Sequence, residues 1–187
     1  TDYVPADGAI SVTAEYGGTG NLYTVKQYSD FVLRFEFAFL REGVNNGVGI
    51  RTPMGVDAAY EGMEIQILDH DADIYKGLHE YQQHGSVYGI IPAKRVKFPA
   101  LGTWNTEEIR AVGDHITVIV NGDVIVDGNI RNACQGHKTA PDGSDNNPYT
   151  VDKKNHPGLF NKSGHIGFLG HGAGLKIRNV RIKDMSK

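Results

Sequence analysis

One cysteine, Cys134, stands in 187 residues, so no disulfide can form within the chain. Export is not excluded by that, because a domain of this size does not need staples. No apolar run approaches the roughly 18 residues of a membrane-spanning helix. No basic run interleaves with aromatics, and the net charge is only -3. A charge that small gives no strong pull on nucleic acid or anionic lipid. An activating context for a nucleophilic Cys134 is missing too. The chain opens on Thr1 with no charged segment followed by an apolar one. A removed signal and a trimmed chain both account for this, and the expectation is a periplasmic or extracellular protein. Helix-period patterns are scarce throughout.

Glycine is what the chain has in excess. Its 24 glycines are nearly twice the average usage of about 7%. They separate short apolar runs without forming a repeat, which points to many tight turns. Period-two patterns fill the intervals. The clearest covers 30–40, where Phe31, Leu33, Phe35, Phe37 and Phe39 share one face and Arg34 and Glu36 the other. A turn is predicted at Asn45-Asn46-Gly47, followed by a strand ending at Arg51. Further short strands are predicted at 8–13, 21–26, 62–68, 86–91, 108–112, 116–120, 124–126, 164–169 and 175–183. Asn121-Gly122 between β-branched runs predicts a type I′ hairpin. In the last strand the apolar phase slips from Leu175 and Ile177 to Val180 and Ile182, which predicts a bulge near Arg178-Asn179.

Residues 69–85 and 129–163 are long, polar and irregular. Segments of this kind in a compact domain are functional or mobile. Strand signal resumes after the second one. It therefore reads as an excursion from one domain spanning 1–187, not as a linker. Ten or more short antiparallel strands predict an all-β protein of two packed sheets.

The segment Glu64-Ile65-Gln66-Ile67-Leu68-Asp69 carries the main chemical signal. Period two puts Glu64 and Gln66 on one face and Met63, Ile65 and Ile67 on the other. Asp69 joins the polar row only if a bulge near Leu68 resets the phase. The row is either a solvated strand face or a polar face turned toward a sugar. A glycosidase flanks its bond with two carboxylates, and Gln66 cannot act as acid or base. Asp69-His70-Asp71-Ala72-Asp73 imitates a calcium loop, but Ile74 stands where that loop needs glycine. Glu64, Asp69 and Asp71 remain candidate ligands of a divalent cation. His79-Glu80-Tyr81-Gln82-Gln83-His84 fails as a zinc-protease helix, since Gln83 stands at the second ligand's place. Among the histidines, His171 in Gly170-His171-Gly172 is the most suggestive.

Several segments together resemble the 3-keto-disaccharide hydrolase domain family. They are Asp30-Phe31, Asn45-Asn46-Gly47-Val48-Gly49-Ile50-Arg51, Glu64 to Asp69, and Gly85-Ser86-Val87-Tyr88. Gly102-Thr103-Trp104-Asn105, Asn121-Gly122, Gly164-His165-Ile166-Gly167 with His171-Gly172, and Arg178-Asn179-Val180-Arg181-Ile182 continue the set in order. Each match is short; their number and order carry the resemblance. Two departures stand out. Leu169 replaces the family's frequent glutamine two places before the histidine, and 129–163 matches no motif.

The resemblance implies a jelly-roll sandwich of the concanavalin A-like lectin and glucanase type. It implies cleavage of glycosides oxidised to a ketone at the third carbon of the sugar. That ketone acidifies the neighbouring hydrogen, so a base and an enolate stabiliser suffice. Glu64 or Asp69 is the expected base, and Arg51, His171 or a bound cation the stabiliser. Gln66 and Tyr88 are expected to orient sugar hydroxyls, and His84 is a further substrate contact or an alternative base. A carbohydrate-binding module on the same face and an ordinary glucanase-like hydrolase are the competing expectations.

Overall fold

Alternating apolar residues give eleven strands among the described residues, 2–15 and 20–186 of this computed structural model. In chain order they are β1 (Asp2–Ala6), β2 (Ala9–Thr13), β3 (Leu22–Tyr23), β4 (Phe31–Phe39), β5 (Asn45–Thr52) and β6 (Met63–Leu68). After them come β7 (Asn105–Val112), β8 (His115–Val120), β9 (Asp123–Asn129), β10 (His165–Leu169) and β11 (Leu175–Asp184). Two single-turn α-helices, α1 (Ala58–Glu61) and α2 (Ile130–Ala133), and two 3₁₀ turns, Asp73–Tyr75 and Glu80–Gln82, interrupt the series. One sheet runs β1-β2-β11-β4-β7-β8-β9 and the other β3-β10-β5-β6, antiparallel throughout. They pack face to face as a jelly-roll-type β-sandwich.

The alternation of β4 explains the packing. Phe31, Leu33, Phe35, Phe37 and Phe39 are all at most 3% exposed. They meet Val48 and Ile50 of β5 and Met63, Ile65 and Ile67 of β6 in one apolar cluster. Each such side chain contributes roughly 1.5–3 kcal/mol by leaving water. Because β6 gives these three residues to the core, its alternate residues must face outward, away from the large sheet. That fixes the face on which the candidate site lies.

Local turns follow residue chemistry. Asn121 and Gly122 both take positive φ, 52° and 93°, as the type I′ hairpin between β8 and β9 requires. In β11 the pairing with β4 shifts register between Arg178 and Arg181, with Asn179 at φ 53°. The bulge restores Ile182 to the core face, whereas Val180 stays 40% exposed.

Four expectations need correction. Asn45-Asn46-Gly47, expected as a turn, is the opening of β5 and pairs with Leu68, Ile67 and Gln66 of β6. The predicted strand at 86–91 is a bridge from Val87 to Ile65 followed by a turn back to Ile91, with Gly89 at φ 74°. β1 was not anticipated, since Pro5 weakens the signal; Pro5 is tolerated because β1 is an edge strand. α1 lies in a stretch that reads as loop, because four residues show no helical period.

Candidate active site

The outward residues of β6 are Glu64, Gln66 and Leu68, and β5 sets Gly49, Gly47 and Asn45 opposite them. Glycine is required at one of these places. A Cβ on Gly47 would lie 2.0 Å from Glu64 Oε1 and 2.8 Å from its carboxyl carbon. The carboxylate therefore rests over a bare α-carbon. Gly47→Ala is expected to push the Glu64 carboxylate aside without unfolding the sheet, because the atom displaced is the end of a flexible side chain. The expected result is a fall in kcat/KM of at least about ten-fold, the scale of a misplaced catalytic group, with Tm nearly unchanged. Unaltered kinetics would show that the position of this carboxylate is immaterial.

Around this face lies a groove of about 240 Å³, lined by Glu64, Gln66, Tyr88 and His171 and by Asp57 and Tyr60 on a further wall. Tyr88 arrives because 85–88 runs along the free edge of β6. The Gln66 N–H donates to the Ser86 carbonyl at 3.1 Å, and the Tyr88 N–H to the Glu64 carbonyl at 2.9 Å. Asp57 caps α1, its Oδ1 accepting from the Ala59 N–H at 3.0 Å. That cap sets Tyr60 on the groove wall. His171 comes from the turn after β10.

Glu64 Oε1 is held from two directions. His171 Nε2 lies 3.2 Å away. With the Gln66 amide turned so that both its ends find partners, its nitrogen donates to the same oxygen at 3.3 Å and to the Asn46 carbonyl at 3.0 Å. Oε2 has no protein hydrogen bond among the described residues and is the oxygen available to a ligand. Tyr88 is pushed up from the ordinary phenol value by burial, with the Gln82 hydrogen bond opposing.

The hydrogen bond to Glu64 holds His171 above its ordinary value, against burial. A raised folded value means that the pair's contribution to stability is full below the unfolded histidine value of about 6.5 and is lost as pH rises through the folded one. The His171 side chain is 48% exposed, so solvent screening keeps that contribution small. NMR titration is expected to find the His171 imidazole above about 6.5, and lower in Glu64→Gln than in wild type. An identical value in both proteins would remove the pair.

Four of the expected site residues, Glu64, Gln66, Tyr88 and His171, meet in the groove. Four others lie elsewhere. β6 pairs with β5 without a bulge, so Leu68 and not Asp69 takes the third place in the row. Asp69 instead accepts the Gly43 N–H at 3.0 Å and gives its own N–H to the Val44 carbonyl at 2.9 Å, bracing the turn before β5. Arg51 is buried, and its guanidinium bonds the Ser29 and Gly113 carbonyls at 2.7 and 2.6 Å and Asp30 at 3.1 Å. His84 is fully buried among Phe37, Phe39 and Phe98. Its Nδ1 accepts the Leu68 N–H at 3.1 Å, and its Nε2 lies 3.3 Å from Glu107. Asp71 pairs with Arg95 at 2.6 Å.

Glu64, Asp69 and Asp71 thus have separate partners and do not fit one divalent cation. Among the described residues no group of three His, Cys, Asp or Glu side chains is arranged to hold a metal.

Both the sequence and the sandwich fold have counterparts among known proteins. The model of the 3-keto-alpha-glucoside-1,2-lyase-like domain matches residues 1–183. The chain belongs to that family. A 3-keto-disaccharide hydrolase of Bacteroides thetaiotaomicron is 24% identical over 210 residues, covering 95% of this chain and 68% of the relative. A Parabacteroides distasonis crystal structure, described as a candidate glycosyl hydrolase, superposes with a TM-score of 0.79 at 25% identity, over 98% of this chain and 90% of the other. The Bacillus subtilis carbohydrate-binding module CBM66 shares the fold, with a TM-score of 0.50 at 10% identity over 96% and 84% of the two chains.

Within this member of the 3-keto-alpha-glucoside-1,2-lyase-like family, some groove residues were not legible in the sequence. Asp57, Tyr60, Tyr75 and Gln82 lie in stretches without periodicity, and only the folded chain brings them to Glu64. Of the family's departures, Leu169 is buried, and a Cβ on Gly49 would lie 3.2 Å from its side chain. An apolar contact stands where the family often has an amide.

Proposed function

We propose that the protein cleaves 3-keto-glycosides, 3-keto-disaccharides above all, by proton abstraction beside the ketone. The observation that carries this reading is the pairing of Glu64 with an imidazole in a groove where Gln66 is the next residue on the same face of the strand. Asp57, the other carboxylate on the groove wall, is engaged in capping α1. An ordinary glycosidase needs two carboxylates free to flank the bond.

Glu64 Oε2 takes the hydrogen from the sugar's second carbon. The electrons move onto the ketone oxygen, where the His171 N–H stabilises the enolate. The enolate re-forms the ketone by expelling the glycosidic oxygen from the first carbon. Water then adds across the new double bond. Gln66 and Tyr88 orient the ring hydroxyls.

Incubation with a 3-keto-disaccharide and with its unoxidised parent, each with and without a chelator, tests the reading. The expected outcome is cleavage of the keto form alone. Cleavage of the parent would overturn it in favour of an ordinary hydrolase. Binding without turnover would leave a carbohydrate-binding module.

A further inference from the structure

An expelled sugar alkoxide is a poor leaving group and needs a proton. In the proposed step Glu64 stands at the second carbon, where it holds the abstracted proton, and His171 at the enolate oxygen, which leaves the glycosidic oxygen to a third group. The groove wall holds a donor that the sequence did not single out.

Tyr60 borders two cavities. One is the groove over Glu64; the other, about 520 Å³, is lined by Tyr60, Thr139, Asp145, Lys154 and Asn155. Most of the second cavity comes from the 129–163 excursion. With a keto ring over Glu64, the second ring of a disaccharide would have this space to enter, and the bond joining the rings would pass Tyr60, which lines both cavities.

The Tyr60 hydroxyl is oriented for donation. Lys154 Nζ donates to its oxygen at 3.2 Å. An ammonium has donors only, so the phenolic proton must point to some other acceptor. The same ammonium would balance the charge of a phenolate left behind. The ring is fixed from below. His156 packs against it with centroids 4.9 Å apart. The His156 nitrogens face the Ala59 carbonyl at 2.8 Å and Asp152 at 2.9 Å. The Gly158 N–H bonds the Tyr60 carbonyl at 2.8 Å. Every one of these contacts comes from the excursion. Tyr88 is the poorer candidate, since burial holds its proton more tightly and it does not line the second cavity.

We infer that Tyr60 is the general acid of the elimination and that the excursion builds the subsite for the departing sugar. This inference rests on the proposed function. As the bond from the first carbon to the glycosidic oxygen breaks, its electron pair stays on that oxygen, which takes the Tyr60 proton. Glu64 ends protonated and Tyr60 as phenolate, and one exchange with solvent restores both.

Tyr60→Phe keeps the ring packing and removes only the donor. The test compares kcat/KM of wild type and Tyr60→Phe on a 3-keto-disaccharide and on the 4-nitrophenyl glycoside of the same 3-keto sugar. Nitrophenolate leaves without protonation. The expected loss on the disaccharide is on the order of 10²–10⁴-fold, the usual range for general acid catalysis, against less than about ten-fold on the nitrophenyl substrate. Lys154→Met is expected to show the same contrast at smaller size. Equal losses on both substrates, or none on either, overturn the assignment and leave the function standing. Wild type inert on both overturns the function, and the assignment with it.

Discussion

Glu64→Gln is expected to lower kcat/KM on a 3-keto-disaccharide by on the order of 10²–10⁴-fold, the usual contribution of a positioned base. The substitution is nearly isosteric. Its amide oxygen can still accept from His171 Nε2, now 3.2 Å from Oε1, and the side chain still fits over Gly47. Shape and groove are retained while basicity is lost. Melting temperature should therefore move little, and KM less than kcat. The measurement is steady-state kinetics beside a thermal melt. Activity within ten-fold of wild type, with the substitution verified, would take the proton-abstracting role away from Glu64.

Arg51→Ala should do the opposite, removing stability and leaving the groove's chemistry alone. Arg51 is 2% exposed, and its guanidinium ties the end of β5 to Ser29, Asp30 and Gly113. Burial pulls its pKa below the ordinary arginine value, and Asp30 and Asp114 oppose that shift. Removing one partner from a buried ion pair costs about 3–5 kcal/mol, and the Asp30 side chain, 35% exposed, puts this one near the lower figure. Arg51 also sits at φ 48°, a strained conformation for either residue. For a chain of this size the expected fall in Tm is on the order of 10 °C. In protein kept folded at low temperature, KM for the keto-substrate should match wild type. A raised KM at unchanged Tm would return Arg51 to the groove and to the enolate-stabilising role that the family resemblance implies.

These two residues also mark how far the sequence could be read. Both stand in segments matching the family, Arg51 at the end of β5 and Glu64 in β6. Chain position gives them equal claims on the site. Their fates differ because period two predicts sidedness only inside a regular strand. Glu64 lies between Met63 and Ile65, both buried in the core, so its outward direction is forced. Arg51 takes a positive φ close to the strand's end, where alternation no longer says which way a side chain points. Asp69 failed for a related reason. One residue past β6, without the bulge that would turn it, it falls out of the row and braces a turn. His84 lies beyond any strand, and its burial against Phe37 and Phe98 comes from packing alone.

The sequence by itself determined the sandwich, the Asn121-Gly122 hairpin, the bulge in β11 and the outward row of Glu64 and Gln66. All of these follow from interactions between residues a few places apart, which alternation and turn chemistry record. Only the tertiary structure decided which side chains share the groove. His171 is 107 residues from Glu64, and Lys154 is 94 from Tyr60. Contacts over such separations come from the way two sheets stack and from the path of an irregular excursion. Neither leaves a period in the chain, because each is fixed by the burial of a common core and not by neighbours in sequence.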